Sequence, residues 1–363
     1  MKVVILAPYS RPWDIQDAEG SGMNPFIRES VEAMSSLVDE VNVFVRRSRS
    51  TDKSVTKISR NVFLHTVQAG NEVRMSREQT YLACKEHDFP VDLIQDHDFI
   101  ISHYWVSEPW VDKIFRHGED KSIFYFSHAL SWNKYRVQPS PKLVLEAELS
   151  LAQKAIWCAY SRDEFKQVSE HLPDTRILYI KPGSRCFKVQ GERKRNKIFF
   201  VGRKNTAKGY DLFVQLATEN PQYRFVSVGR EEGDFLVPKN ISNLEFVPTD
   251  KLFEKINEEA NLIICPSRYE HFGLMPLVGN CLGVPIIASN AGGHSDVVKE
   301  GQNGYLFEPG NYQDLLDKFT KFMDSNDYTY PSDLQQSVRD SFSWCRHAEG
   351  LIEEYRDVLG DVS

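Results

Sequence analysis

The chain has 363 residues, with 44 Lys and Arg against 51 Asp and Glu and a net charge of −7. That acidic balance argues against a nucleic-acid binder, which needs a basic surface; the length exceeds a typical single core, so two domains are expected. No apolar run approaches the ~20 residues of a membrane span, and Met1 leads directly into the core-like KVVILAP, so no signal peptide is read and a cytoplasmic location is expected.

Along the chain, short β-rich runs alternate with helical patterns. Residues 3–7, 41–45, 62–66, 99–102, 123–126, 156–159 and 177–180 read as strands. Ile27, Val31, Met34 and Leu37 recur at the spacing of one helix face. Such alternation predicts a parallel sheet with helices on both sides. The basic stretch 46–60 lacks the apolar face of an anchoring helix and reads as a solvated loop, with peripheral membrane contact the alternative. The alternation breaks at 181–197, a polar, basic stretch holding Pro182, Gly183 and Gly191, which reads as an interdomain connector. A second series of strands follows at 198–201, 225–228, 244–247, 262–265 and 285–288. Near the end, Trp344, Leu351, Ile352, Tyr355 and Leu359 recur at helical spacing. The chain thus divides into an N-terminal domain (1–182), a linker (183–196), a C-terminal domain (197–342) and a closing helix (343–363). Six cysteines show no CxxC or other close ligand spacing, so neither a zinc site nor a disulfide framework is expected.

In an open parallel sheet, ligands bind outside the carboxyl ends of the strands. The richest such place is 265–307, where an apolar run meets Pro266 and a charged loop holding Glu270 and Gly273. A helix, the run 284–288 and the pair Gly292 and Gly293 follow. Gly273 permits close backbone approach, and the helix opening after it points free N–H groups at an anion or a hydroxyl. The loop VGRKNTAKG presents Arg203 and Lys208, five apart, between Gly202 and Gly209. Two cations on a permissive loop would suit an anionic ligand such as a phosphate. Alone they would read as a solvated face; beside the Glu270 loop they read as a site.

The N-terminal half offers further strand ends. Gly20 and Gly22 lie in a loop that would let backbone approach a phosphate, with Asn24 or Ser21 placed to cap the next helix. The third glycine of a dinucleotide fingerprint is missing, which speaks against an NAD site. FYFSHALSW places His128 at one strand end, and ISHYWVSEPW places His103, Tyr104 and Trp105 at another. Trp105 reads equally well as packing. Asp96-His97-Asp98 has the spacing of a metal-binding carboxylate pair, but it leads into a strand and reads as the ordinary start of that element.

PSRYEHFG, then GVPIIAS and AGGHSDVV, together with GRKNTAKG, resembles family 4 of the retaining glycosyltransferases, nearest in motif style to the mycothiol and sucrose-type synthases. The resemblance implies an α/β fold of two Rossmann-like domains facing across a cleft (GT-B), with the C-terminal helix crossing back to the N-terminal domain. It implies metal-independent transfer of a sugar from a nucleoside-diphosphate sugar, UDP favoured over GDP, to a small-molecule or glycan acceptor. No other cofactor is implied. It assigns Arg203 and Lys208 to the donor phosphates, with Gly202 in their loop, and the Gly20–Gly22 loop to the same group. Glu270 would hold sugar hydroxyls, with the amides of Phe272, Gly273 and Leu274 beside them. His128 would approach the donor sugar, and His103, Tyr104 and Trp105 the acceptor. The family's second Glu, eight positions after the first and gripping the ribose, is Val278 here. That departure keeps open a degenerate nucleotide- or glycan-binding protein, beside a third class, a GT-B epimerase or phosphorylase.

Overall fold

A computed structural model describes residues 1–14, 23–118, 122–130, 142–184, 196–245, 247–325 and 332–360. It divides into two compact units: Met1–Tyr160, Glu164–Gly183 and Trp344–Ser363 form the first, and Ser161–Asp163 with Ser184–Ser343 the second.

The first unit is built on β1 (Lys2–Leu6), β2 (Glu40–Arg46), β3 (Val55–Lys57), β4 (Val62–Val67), β5 (Phe99–His103), β6 (Ile123–Phe126), β7 (Ile156–Ala159) and β8 (Ile177–Tyr179). Among the described residues they form one sheet in the order β3-β4-β2-β1-β5-β6-β7-β8. β3 alone runs antiparallel, against β4. Val3, Val4, Ile5 and Leu6 are all essentially inaccessible. Successive side chains of a strand point to opposite faces, so a continuous apolar run means that both faces are covered. The helix Met23–Met34 turns Phe26, Ile27, Val31 and Met34 inward. Leu37 lies beyond its end and is largely exposed, because the helix stops before the face can continue.

The helix Trp344–Gly360 belongs to this first unit, so the chain returns to its N-terminal part as the resemblance implied. Its buried face is His347, Ala348, Leu351, Ile352, Tyr355 and Val358. Tyr355 stacks on Phe99 at 4.6 Å between centroids, and Trp344 meets the edge of Phe26 at 5.0 Å. Leu359, counted in the apolar face from its spacing, instead faces solvent.

The second unit carries β9 (Lys197–Val201), β10 (Arg224–Val228), β11 (Ile241–Leu244), β12 (Ala260–Cys265), β13 (Ile286–Ser289) and β14 (Gly304–Phe307). All pair in parallel, in the order β11-β10-β9-β12-β13-β14. This is a doubly wound sheet that reverses direction between β9 and β12. Apolar side chains of the flanking elements pack on both faces of the sheet, Phe213, Leu216 and Phe319 in one core cluster and Ile256, Leu282 and Val284 in the other.

Three expectations change. The strand read at 244–247 ends at Leu244, because β11 is an edge strand whose Ser242 and Asn243 are exposed and carry no apolar signal. Arg46, read as part of a solvated basic loop, is buried at the end of β2, where its guanidinium donates to the carbonyls of Arg47, Asn71 and Val73. Cys281 is disulfide-bonded, whereas Cys84, Cys158, Cys265 and Cys345 are free thiols. No described helix is long and apolar enough to cross a membrane.

Removing the Tyr355 ring would leave a void against Phe99 in a closely packed interior. Tyr355→Ala is expected to cost about 3 kcal/mol, read as a lower urea midpoint at an unchanged slope.

Candidate active site

At the reversal of the second sheet the chain leaves β9 and β12 toward opposite sides, which opens a crevice at their carboxyl ends. The loop after β9 is a tight turn. Asn205 Oδ1 accepts from Lys208 N at 2.9 Å, and Gly209 follows in the left-handed region at φ 70°. A Cβ on Gly209 would fall 1.9 Å from Pro266 O, so only glycine lets this turn press against the loop after β12.

Arg268 locks the two loops together. Its Nη1 and Nη2 donate to Asp211 Oδ1 and Oδ2 at 2.7 and 2.6 Å, and Nη1 also donates to Thr206 O at 2.6 Å. Arg268 N donates to Ala207 O at 3.0 Å. A planar guanidinium on a carboxylate fixes both distance and orientation. Thus Lys208 Nζ comes to lie 2.5 Å from Glu270 Oε2. Ser267 Oγ donates to the same oxygen at 3.2 Å, and His271 N to Oε1 at 3.3 Å.

Burial pushes the Glu270 carboxyl up. The Lys208 ammonium, then the neighbouring His294 and the bonds from Lys208 and His271 outweigh it and hold the group at about 2. Glu270 is therefore a carboxylate throughout the neutral range. Behind it, Gly273 at φ 82° opens the helix Leu274–Leu282. A Cβ on Gly273 would meet His294 Nε2 at 2.3 Å, so this ring supports the backbone from which the helix amides start. His294 is buried and donates from Nδ1 to Ser289 O at 2.9 Å. Burial first, and Lys208 last, draw its pKa down, against the pull of Glu270 and the Ser289 carbonyl.

Of the residues read from sequence, Lys208, Glu270, Phe272, Gly273 and Leu274 meet at this crevice. Arg203 shares the loop but is mostly exposed and paired with Glu232 at 3.3 Å. Val278 lies inside the apolar layer with Phe199, Val226, Ile263 and Ile286, so it offers nothing to a ribose. Sequence reasoning missed Arg268, Asp211 and His294, and also Lys204. The Lys204 side chain is buried, with Nζ bonded to Asn243 Oδ1 and, at 3.0 Å, to Leu244 O. The signal for Arg268 stood two residues before Glu270, but its partner lies far away in sequence.

In the first unit, the loops after β5 and β6 meet. His103 Nδ1 and His128 Nε2 are 2.9 Å apart, and Tyr160 Oη lies 3.1 Å from His128 Nδ1. His103 is buried; desolvation, with a smaller push from His347, lowers its pKa to about 3, so it is neutral. Tyr104 is buried at φ 68°, with the Arg77 guanidinium 5.5 Å over its ring. Trp105 takes the packing role, buried against Tyr81 at 5.4 Å. Asn24, expected to cap, sits inside its helix, and its Oδ1 accepts from Arg11 N at 3.0 Å and from Ser10 Oγ. Gly20, Gly22 and Ser21 lie outside the described residues. Asp98 Oδ2 accepts from Lys2 N at 2.6 Å. It therefore stands at the amino end of its sheet, opposite the ligand side.

Two doubly wound sheets, one with a cation and a carboxylate meeting at its reversal, have the fold of glycosyltransferases of GT-B architecture. Residues 185–340 match the family described as glycosyl transferases group 1, and the protein carries that domain. Across 100% of the chain and 87% of the relative, it is 23% identical to a D-inositol 3-phosphate glycosyltransferase of Mycobacterium marinum. Sucrose-phosphate synthase from Thermosynechococcus elongatus has the same fold at TM-score 0.85, with 19% identity over 99% of both chains. Anabaena HepE, solved with UDP and glucose, aligns at TM-score 0.72 and 16% identity, covering 98% of this chain and 100% of its own.

The acid limb of stability should report the Lys208–Glu270 pair. A carboxyl lowered from 4.5 to about 2 contributes stability that is fully present above pH 4.5 and lost as pH falls through 2. Glu270→Gln is expected to flatten the dependence of unfolding midpoint on pH in that window, measured by urea titration at stepped pH.

Proposed function

We propose that the protein is a retaining hexosyltransferase that moves a sugar from a nucleoside-diphosphate sugar to a hydroxyl of a small-molecule or glycan acceptor without a metal ion. The observation that carries this reading is the meeting of Lys208 and Glu270 before the helix Leu274–Leu282, at the reversal of the second sheet. An ammonium and a helix amino end favour a diphosphate, while a carboxylate accepts hydroxyl hydrogen bonds from a hexose. UDP is the nucleotide favoured by the resemblance, and the UDP complex of HepE supports trying it first.

In the proposed reaction the bond from the sugar C1 to the diphosphate oxygen breaks, and its electron pair leaves with the diphosphate. The acceptor oxygen bonds to C1 on the face the diphosphate leaves, and the acceptor proton passes to the departing phosphate oxygen. Lys208, with Arg203 on the same loop, stabilises the charge that grows there. Glu270 fixes the sugar ring. By resemblance, His128 also serves the donor sugar, held by its bonds to His103 and Tyr160. Val278 leaves the ribose to another group.

A thermal-shift series with UDP, GDP, ADP, TDP and their sugar conjugates, with and without EDTA, tests the donor site. A ligand bound only to the folded state at a hundredfold excess over Kd adds about 2.7 kcal/mol. The expected result is an upward shift with the uridine compounds that EDTA leaves unchanged. No shift with any compound overturns the donor reading; loss of the shift in EDTA overturns metal independence. In a turnover assay, Lys208→Ala is expected to lower kcat by about 100-fold.

A further inference from the structure

Lys208 and Glu270 are each other's closest charged contact, 2.5 Å apart, with side chains only 26% and 17% exposed. Solvent screens such a pair less than it screens a surface pair. An ammonium in this position is largely neutralised before any phosphate reaches it. A diphosphate brought to Lys208 therefore meets the Glu270 carboxylate as a like charge gathered around the same cation. A sugar hydroxyl has the opposite effect, because it donates to the carboxylate and replaces the share of Lys208 that the phosphates draw away.

Glu270 cannot readily swing clear of this conflict. Its loop is tied by the Arg268 fork on Asp211 and by the Arg268 bond to Thr206 O. Ser267 Oγ and His271 N hold the carboxylate itself, and the His294 ring stands close against Gly273.

We propose that Glu270 acts as a specificity-determining residue that makes the site select the intact sugar nucleotide over the free nucleoside diphosphate. The diphosphate weakens the Glu270–Lys208 pair, and only the sugar hydroxyls compensate the carboxylate. The inference rests on the donor-site reading above. Its consequence is that the product diphosphate, left alone once the sugar has been transferred, is held less tightly than the donor and departs. The neutral isostere at position 270 should reverse the preference: it frees Lys208 for phosphate and offers a poorer acceptor to the sugar.

Isothermal titration of the full chain and of Glu270→Gln with UDP and UDP-glucose tests this, with GDP and GDP-mannose, ADP and ADP-glucose as the other pairs. The pair of ligands that the unmodified chain binds is the one compared. Glu270→Gln is expected to bind the nucleoside diphosphate about fivefold tighter and the sugar nucleotide about fivefold weaker, the lower end of usual coupling between two ligand groups. Should Glu270→Gln fail to fold by circular dichroism, Glu270→Ala is titrated with the same expected signs. Unchanged or weaker diphosphate binding in the variant overturns the selection mechanism while leaving the donor site standing. No binding of any nucleotide or sugar nucleotide to the unmodified chain removes the donor site and this inference with it.

Discussion

Parallel strands cannot be joined by a hairpin; each must be followed by a crossover that returns the chain to the same starting edge. That constraint organises both units. Every strand-to-helix loop is delivered to one end of its sheet, and where the winding reverses, between β9 and β12, two loops diverge and leave a crevice. The residues with chemistry to offer gather there because the topology leaves them nowhere else to gather. Chain 203–209 and chain 266–273 are far apart in sequence but adjacent at this edge, since β9 and β12 are hydrogen-bonded neighbours.

Once adjacent, the loops still need a fixed register, and glycine and arginine supply it by different means. Gly209 removes the side chain that would collide with Pro266 O. Arg268 then fills the gap with a fork on Asp211 and bonds to the opposite backbone. The result is a short, oriented ion pair between Lys208 and Glu270, supported from behind by the buried His294. Lys204, buried between the end of β11 and the start of the same loop, fastens its other side. A cation and an anion held this way form a bifunctional surface, one part suited to phosphate and the other to hydroxyl.

Much of this was legible in the order of residues. The strands buried on both faces announce themselves as apolar runs, so β1, β2, β5, β6, β9, β10, β12 and β13 were found within a residue or two. Edge strands fared unevenly: β8 was found, β14 was missed, and β3 and β11 were missed or misplaced because they expose side chains and need no such run. Lys208 and Glu270 could be named because each sits in a glycine-marked loop after a strong strand. Arg268, Asp211 and His294 carry no such mark, since what makes them matter is a partner across the crevice. Trp105 shows the converse: it occupies a strand end of the right kind, yet its ring is turned into the packing against Tyr81.

The sequence by itself determined the alternation of strands and helices, the break near residue 183, the apolar face of the last helix and the loops that bear charge. These follow from periodicity and backbone permissiveness, which are local properties. The tertiary structure decided the rest. It placed Val278 in the apolar layer, put the last helix on the first unit and buried Arg46 among carbonyls. Above all it set Lys208 against Glu270. An electrostatic pair depends on a distance in space, and that distance exists only after the sheet has brought β9 and β12 side by side.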